Sequence, residues 1–144
     1  MSFHHNLWQN VHERAPRVRY GQVHVHDNLY VGQTGGEYPF GYSLGVGVQS
    51  RIVSERNVWE TTADITPARL TRWWKGSTFL DRGSIHNGQP VDLLGALRQA
   101  NPSSVVTAEV GWVPPYVAFT DAVSEVAPRV RAGAGAGRLA VGAD

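Results

Sequence analysis

The chain has 144 residues and a formal net charge of +1; 42% of its residues are hydrophobic, 17% are charged and 16 are glycines. This length allows one domain with a buried core, and the composition is that of a folded chain rather than a disordered one. The absence of cysteine excludes disulfides and thiolate metal sites, and no apolar run approaches the roughly 20 residues of a membrane span. The N-terminus lacks the pattern of a signal peptide.

The first 60 residues contain three segments that resemble one another, at residues 3–8, 25–30 and 54–59. Between them lie short alternating runs rich in β-branched and aromatic residues, which are typical of strands. A repeat of twenty-odd residues built from short strands predicts a parallel β-helix, in which equivalent side chains of successive coils line up. Chance recurrence is the alternative. Each segment places an asparagine two residues before an aromatic residue: Asn6 and Trp8, Asn28 and Tyr30, Asn57 and Trp59.

These paired positions suit a β-helix for two reasons. The asparagine amide both donates and accepts hydrogen bonds, so asparagines on successive coils can form an internal ladder. Asparagine also tolerates the left-handed backbone that a sharp corner requires. We therefore expect the asparagines at the corners and the aromatic side chains stacked in the core.

Three arginines stand close together in the stretch "RAPRVR" at residues 14–19. A guanidinium binds a carboxylate or a phosphate through two parallel hydrogen bonds, so this cluster predicts an anion-binding site. Nucleic acid is one such anion, but the near-neutral chain has no long basic face, and we expect no nucleic-acid partner.

The remaining chain predicts more varied elements. Residues 32–47 are glycine-rich and are typical of a loop insertion, and residues 69–84 indicate a strand and turn pair. Residues 91–101 predict a short helix with Asp92 as its N-cap and Pro102 ending it. A second helix is expected from Thr120 or Asp121, interrupted at Pro128. We assign residues 1–128 to the β-helix domain and residues 129–144 to a low-complexity tail.

Two further groups of side chains leave alternatives open. His24 and His26 share one face of a strand, with His4 and His5 nearby in sequence, and such imidazoles either bind zinc or stack within the coil wall. No spacing supplies a clear third ligand, which favours stacking. Trp73 and Trp74 could stack on sugar rings, but neighbouring residues of a strand face opposite ways, so at most one of them faces a groove. Packing in the core or in a loop is favoured.

The stretches "FHHNLWQNVHERAPRVRYGQVHVHDNLY" and "YSLGVGVQSRIVSERNVWE" resemble the C-terminal part of the catalytic domain in pectate lyases of polysaccharide lyase family 1. The resemblance is dense over residues 3–60, and its most specific element is Arg-x-Pro-x-x-Arg, matched by Arg14, Pro16 and Arg19. It implies a right-handed parallel β-helix and a secreted, calcium-dependent enzyme, monomeric at full length, that cleaves polygalacturonate by β-elimination.

The resemblance also implies roles for the arginines. Arg14 falls at the catalytic base and Arg19 at an arginine that binds a substrate carboxylate; Arg17 is either a second substrate contact or a spacer. An arginine normally keeps its proton, so the base role follows from the resemblance alone. Galacturonate carries one carboxylate per sugar, which accounts for the charge of the cluster. A pectin lyase acting on methylated chains fits that charge less well.

The family's calcium ligands and a substrate-binding lysine lie upstream of the matched part, so we expect no metal ligands in this chain. The start at "SFHHN" falls within a coil, which predicts a partial β-helix without its N-terminal coils and accounts for the missing signal peptide. An uncapped coil exposes apolar core and strand edges, so we expect the isolated chain to self-associate. The alternative to an enzyme is an inactive fragment that only binds acidic polysaccharide.

Overall fold

The computed structural model describes residues 1–116 and 121–136 and consists mainly of short parallel strands in three sheets. Each of the first three coils adds one strand to each sheet, so the strands run along the three sides of a parallel β-helix, as predicted. The first sheet contains β1 (Ser2–His4), β4 (Gly21–His26), β7 (Ser50–Glu55) and β10 (Phe79–Arg82). The second contains β2 (Leu7–Gln9), β5 (Leu29–Gly32), β8 (Val58–Thr61), β11 (Ile85–His86) and β12 (Gln89–Pro90). The third contains β3 (Arg17–Val18), β6 (Leu44–Gly47) and β9 (Thr71–Trp74).

The asparagine ladder is present at the corner between the first and second sheets. The Asn28 side-chain oxygen accepts hydrogen bonds from the backbone N–H of Asn6 at 3.0 Å and from its side-chain amide at 3.1 Å. Asn57 receives the same pair of bonds from Asn28, both at 3.1 Å. On the fourth coil, the Ser84 hydroxyl accepts from the Asn57 backbone N–H at 3.2 Å. The last side chain of the ladder is therefore a serine, whereas the sequence prediction included only asparagines.

One detail of the predicted corner is wrong. The left-handed residue is the one before each asparagine, with φ of 53° at His5, 52° at Asp27 and 48° at Arg56. Gly83 takes the same place before Ser84, with φ of 70°. The residue before each asparagine makes the sharp turn. The asparagine side-chain amide can therefore form hydrogen bonds with the asparagine of the neighbouring coil.

The predicted aromatic stack fills the core beside the ladder. The rings of Trp8 and Tyr30 are 6.2 Å apart and 7° from parallel, and those of Tyr30 and Trp59 are 4.7 Å apart and 6° from parallel. Tyr30 and Trp59 are almost completely buried. The asparagine and aromatic repeats thus mark one register, which is set by the pairing of β2 with β5 and of β5 with β8.

The predicted insertion at residues 32–47 is only partly a loop. Residues 33–43 connect β5 to β6 without regular structure, but Leu44–Gly47 forms β6, the central strand of the third sheet. Leu44 and Val46 are fully buried. These apolar side chains alternate with glycines, so the strand could have been recognised from its period of two.

The predicted strand pair is present as β9 and β10, and helical segments lie on either side of the strands β9 to β12. A 3₁₀ turn (Pro67–Arg69) precedes β9, and α1 (Leu93–Ala100) follows β12. Asp92 caps α1 by accepting a hydrogen bond from the Gly95 N–H at 2.9 Å, and the helix ends before Pro102, both as predicted. Leu93 and Leu97 are fully buried and close the core at this end.

The second helix differs from the prediction. Helix α2 (Val123–Gly133) has no side-chain N-cap, so Asp121 does not open it as predicted, and Thr120 lies outside the described residues. Pro128 does not interrupt it: Val126 and Val130, on either side of the proline, are buried against Leu29 and Val58 of the second sheet. This packing offsets the hydrogen bond that proline cannot donate. Residues 129–133 of the expected tail are thus helical, and residues 137–144 lie outside the described residues.

None of the helices in the described residues is long and apolar enough to span a membrane.

Candidate active site

The turn that carries Arg14 connects β2 to β3 and is fixed to the core at the next residue. Ala15 donates its N–H to the Ser43 carbonyl at 2.8 Å, and its own carbonyl accepts from the Tyr30 hydroxyl at 2.8 Å. Burial raises the pKa of Tyr30 far above its ordinary value, so the hydroxyl stays protonated and keeps donating. The middle ring of the aromatic stack therefore holds the turn in place.

Arg14 itself projects from this anchored turn into solvent. Its backbone is left-handed, with φ of 64°, and its side chain is 61% exposed. The guanidinium Nε lies 3.1 Å from a carboxylate oxygen of Glu13. The sequence prediction did not include Glu13, and only its position next to Arg14 could have indicated a role. A fixed backbone with an exposed guanidinium can present Arg14 to a bound molecule.

Arg17 and Arg19 follow on the strand side of the turn. Val18 between them is 6% exposed and faces the core, so the alternation of the strand directs both arginines outward. The guanidinium carbon of Arg17 lies 4.3 Å from the ring of Trp74, and that of Arg19 lies 5.0 Å from the ring of Tyr20. Neither arginine takes part in an ion pair within the described residues. Both therefore remain available to an anion from outside.

Residues that the sequence prediction did not assign complete this face. Arg72 on β9 lies 4.6 Å from the ring of Tyr42 and 5.9 Å from that of Trp74, measured from the guanidinium carbon. Lys75 follows β9 and lies 4.6 Å from the ring of Trp73, so its contact is with the other side of the strand. The stretch "TRWWK" at residues 71–75 could have indicated a binding surface from the sequence, because it places cationic residues next to aromatic ones.

The two tryptophans face opposite sides of β9, as predicted. Trp73 packs partly against the main core and donates its indole N–H to the Gly76 carbonyl at 2.8 Å. Trp74 lies on the outer face beside Arg17 and Arg72. Core packing is thus correct for Trp73, whereas Trp74 belongs to the cationic face.

The histidines are stacked and hydrogen-bonded, as the sequence favoured. The rings of His24 and His26 are 4.2 Å apart, and those of His4 and His26 are 4.9 Å apart. Both ring nitrogens of His24 are occupied, one by Glu55 at 2.9 Å and the other by the Tyr116 hydroxyl at 3.0 Å. Burial lowers the pKa of His24, which favours the neutral ring. Across residues 1–116 and 121–136, no three His, Asp or Glu side chains form a metal-binding group.

Comparisons with known proteins identify the family of this chain. A family model described as "Pectate lyase" matches residues 1–139. The chain is 34% identical to a pectate lyase of Bacillus subtilis (strain 168), covering 96% of this chain and 32% of that protein. It is 33% identical to pectate lyase A of Dickeya chrysanthemi, covering 93% of this chain and 33% of that protein.

Solved structures show the same relationship. A pectate lyase bound to a hexasaccharide superposes with a TM-score of 0.87 at 34% identity, covering 96% of this chain and 33% of that one. A thermostable pectate lyase gives a TM-score of 0.90 at 34% identity, covering 96% and 35%. The chain spans about a third of the length of these relatives. With a family model over nearly its whole length and a shared β-helix, this chain belongs to the pectate lyase family.

Proposed function

We propose that this chain carries the arginine-bearing part of a pectate lyase that cleaves polygalacturonate by β-elimination and releases unsaturated oligogalacturonates. The observation that carries the proposal is the anchored turn of Arg14, followed by the guanidiniums of Arg17 and Arg19, which form no ion pair within residues 1–116 and 121–136. A polymer with one carboxylate on every sugar matches a row of such groups. The hexasaccharide bound by one solved relative is consistent with an oligosaccharide ligand.

Each arginine has a role in this proposal. Arg19 binds a substrate carboxylate, and Arg17 makes a second contact of the same kind. Arg14, in its neutral form, removes the proton at C5 of the uronate, which is acidified by the adjacent carboxylate. The electrons left at C5 form the C4–C5 double bond and the bond from C4 to the glycosidic oxygen breaks. That oxygen takes up a proton from water, and Arg14 returns the C5 proton to the solvent.

Calcium is the cofactor that the resemblance implies, and the described residues do not form a site for it. They contain no metal-binding group of three acidic or histidine side chains. We propose that the calcium ligands lie outside the described residues, and no step above depends on the ion. We also propose that the enzyme is secreted, is monomeric at full length and has no nucleic-acid or membrane partner.

The test is the release of unsaturated uronate from polygalacturonate, followed by its ultraviolet absorbance with and without a calcium chelator. Arg14→Lys is expected to lower kcat at least about 100-fold, because a positioned base contributes roughly 100- to 10,000-fold. Arg51→Lys is the control, since Arg51 is an exposed arginine on β7 of another sheet. Turnover by Arg14→Lys at the level of this control would reject Arg14 as the base.

The alternative proposal is a fragment that binds acidic polysaccharide without cleaving it. The observation in its favour is that the described residues contain the arginine face but no metal site. Saturable binding of polygalacturonate by the wild-type chain, with no release of unsaturated uronate at any calcium concentration, would favour this second proposal.

A further inference from the structure

The cationic face continues beyond the arginine turn onto the neighbouring strands of the third sheet. Arg17 on β3, Gly45 on β6 and Arg72 on β9 are aligned in one row. A Cβ atom at Gly45 would lie 2.7 Å from the Cγ atom of Arg17. The side chain of Arg17 therefore lies across Gly45, and only a glycine leaves room for it. This route brings the guanidinium of Arg17 to Trp74, two strands away.

Two positive charges consequently meet at one indole ring. The guanidinium carbons of Arg17 and Arg72 lie 4.3 Å and 5.9 Å from the centre of the Trp74 ring. Neither arginine forms an ion pair with an acidic side chain among the described residues. Because both guanidiniums contact the same ring, their positive charges repel each other, and a carboxylate that contacts both would reduce that repulsion.

Unpartnered polar atoms lie in the same place. Tyr42 is 1% exposed, its ring contacts Arg72, and its hydroxyl has no hydrogen-bond partner within the described residues. The buried indole N–H of Trp74 likewise has no partner there. Buried polar atoms are rarely left without a hydrogen bond, so each one points to a ligand or a water molecule.

We propose that Arg72, acting with Arg17 across Gly45, forms an additional carboxylate-binding subsite for the polyuronate chain, with Trp74 as its aromatic floor. The subsite lies on the third coil, two strands from the turn that carries Arg14. It engages a sugar remote from the cleaved bond and increases affinity for long chains without taking part in the elimination. This inference rests on the proposed lyase function and adds residues that make the enzyme prefer long substrate chains.

The experiment compares trigalacturonate with hexagalacturonate as substrates of the wild-type chain and of Arg72→Gln, which keeps most of the side-chain length but removes the charge. We expect KM for hexagalacturonate to rise about tenfold, because a hydrogen bond to a charged group typically contributes at least that factor. The values of kcat and of KM for trigalacturonate should change less than twofold. Arg51→Gln, on β7 of another sheet, serves as the matched control. Arg72→Lys should recover part of the affinity, which a purely structural role of the guanidinium would not allow.

The possible outcomes separate the two proposals. If the wild-type chain processes hexagalacturonate and Arg72→Gln equals Arg51→Gln, the subsite is rejected while the lyase function stands. An equal loss on both substrate lengths also rejects the subsite, since it would indicate general damage. If the wild-type chain binds hexagalacturonate without cleaving it, the same comparison is made on the dissociation constants measured by calorimetry. If it neither binds nor cleaves hexagalacturonate, the proposed function fails and the subsite fails with it.

Discussion

Asp81 is a half-buried carboxyl group at the end of the asparagine ladder. One of its oxygens accepts hydrogen bonds from the Ser54 hydroxyl at 2.6 Å and the Ser84 hydroxyl at 2.7 Å. Burial raises the pKa of Asp81 to about 6, and these two hydrogen bonds only partly oppose that shift. The folded protein therefore holds a proton on Asp81 at pH values where the unfolded chain has released it.

This shift predicts how Asp81 affects stability. Between about pH 4 and pH 6 the folded state binds more protons than the unfolded state, so the contribution of Asp81 to stability falls as pH rises through that range. At neutral pH the ionised carboxylate of Asp81 is destabilising, because folding removes part of its hydration. Asp81→Asn keeps an oxygen that can accept both serine hydroxyls and removes the charge. We expect it to raise the free energy of unfolding by about 1 to 3 kcal/mol at pH 7.5 and by little at pH 4.

Urea unfolding at these two pH values measures the effect. Glu109→Gln, which removes an exposed carboxylate, is the control and should change stability by less than about 0.5 kcal/mol. A loss of stability in Asp81→Asn at neutral pH, or the same gain at both pH values, would contradict the burial argument.

At the scale of elements, the ladder joins the coils through side chains as well as strands. Asn57 is fully buried, accepts two hydrogen bonds from Asn28, and donates to the Val25 carbonyl and the Ser54 hydroxyl, each at 2.9 Å. Replacing it by alanine removes all four bonds and leaves buried partners unsatisfied. We expect Asn57→Ala to lower the free energy of unfolding by about 3 to 4 kcal/mol.

Asn87→Ala is the matched control for this prediction. Asn87 is an exposed asparagine outside the ladder; its side-chain oxygen accepts from the Thr61 N–H at 2.8 Å, and its amide donates to the Thr61 hydroxyl at 3.5 Å. Its φ of 48° makes alanine unfavourable, so a loss of about 1 kcal/mol is expected. The free energy of unfolding of both variants is measured by chemical denaturation. Similar decreases in the two would show that an asparagine of the ladder stabilises the fold no more than an exposed asparagine outside it.

The ladder was predictable from the sequence because an asparagine two residues before an aromatic residue recurs on the first three coils, at intervals of 22 and 29 residues. Ser84 could not be recognised in this way, since a serine fills the rung by the same hydrogen bonding with a different side chain. The pairing of Arg17 with Trp74 was also beyond the sequence. It depends on the register of three strands, which the unequal loops between them hide.

Helix α2 shows a different limit of sequence reasoning. Local propensity correctly identifies Pro128 as an unfavourable helix residue, but propensity does not include the burial of Val126 and Val130 on the second sheet. The ion pair between Arg131 of this helix and Glu60 of β8 is likewise a tertiary contact. The extent of this helix therefore depends on its packing against the second sheet, which the residues of the helix do not reveal by themselves.

At the scale of the whole molecule, the two ends of the β-helix differ. At one end, α1 covers the core with Leu93 and Leu97, and β11 pairs with the antiparallel β12. At the other end, β1, β2 and β3 are each the outermost strand of their sheet within the described residues. A cavity of about 300 Å³ opens beside β3, and Met1, Phe3 and Val23 contribute to its lining.

Open strand edges beside exposed apolar surface lead us to predict that the 144-residue chain self-associates through β1, β2 and β3. Sedimentation velocity should show a rising weight-average mass from micromolar to near-millimolar concentration. Hydrogen exchange over the same range should slow at amides of these three strands and stay constant in α1, because the helix already covers its own end of the core. A single monomer at every concentration, with unchanged exchange at the three strands, would show that the chain protects this edge without a second copy.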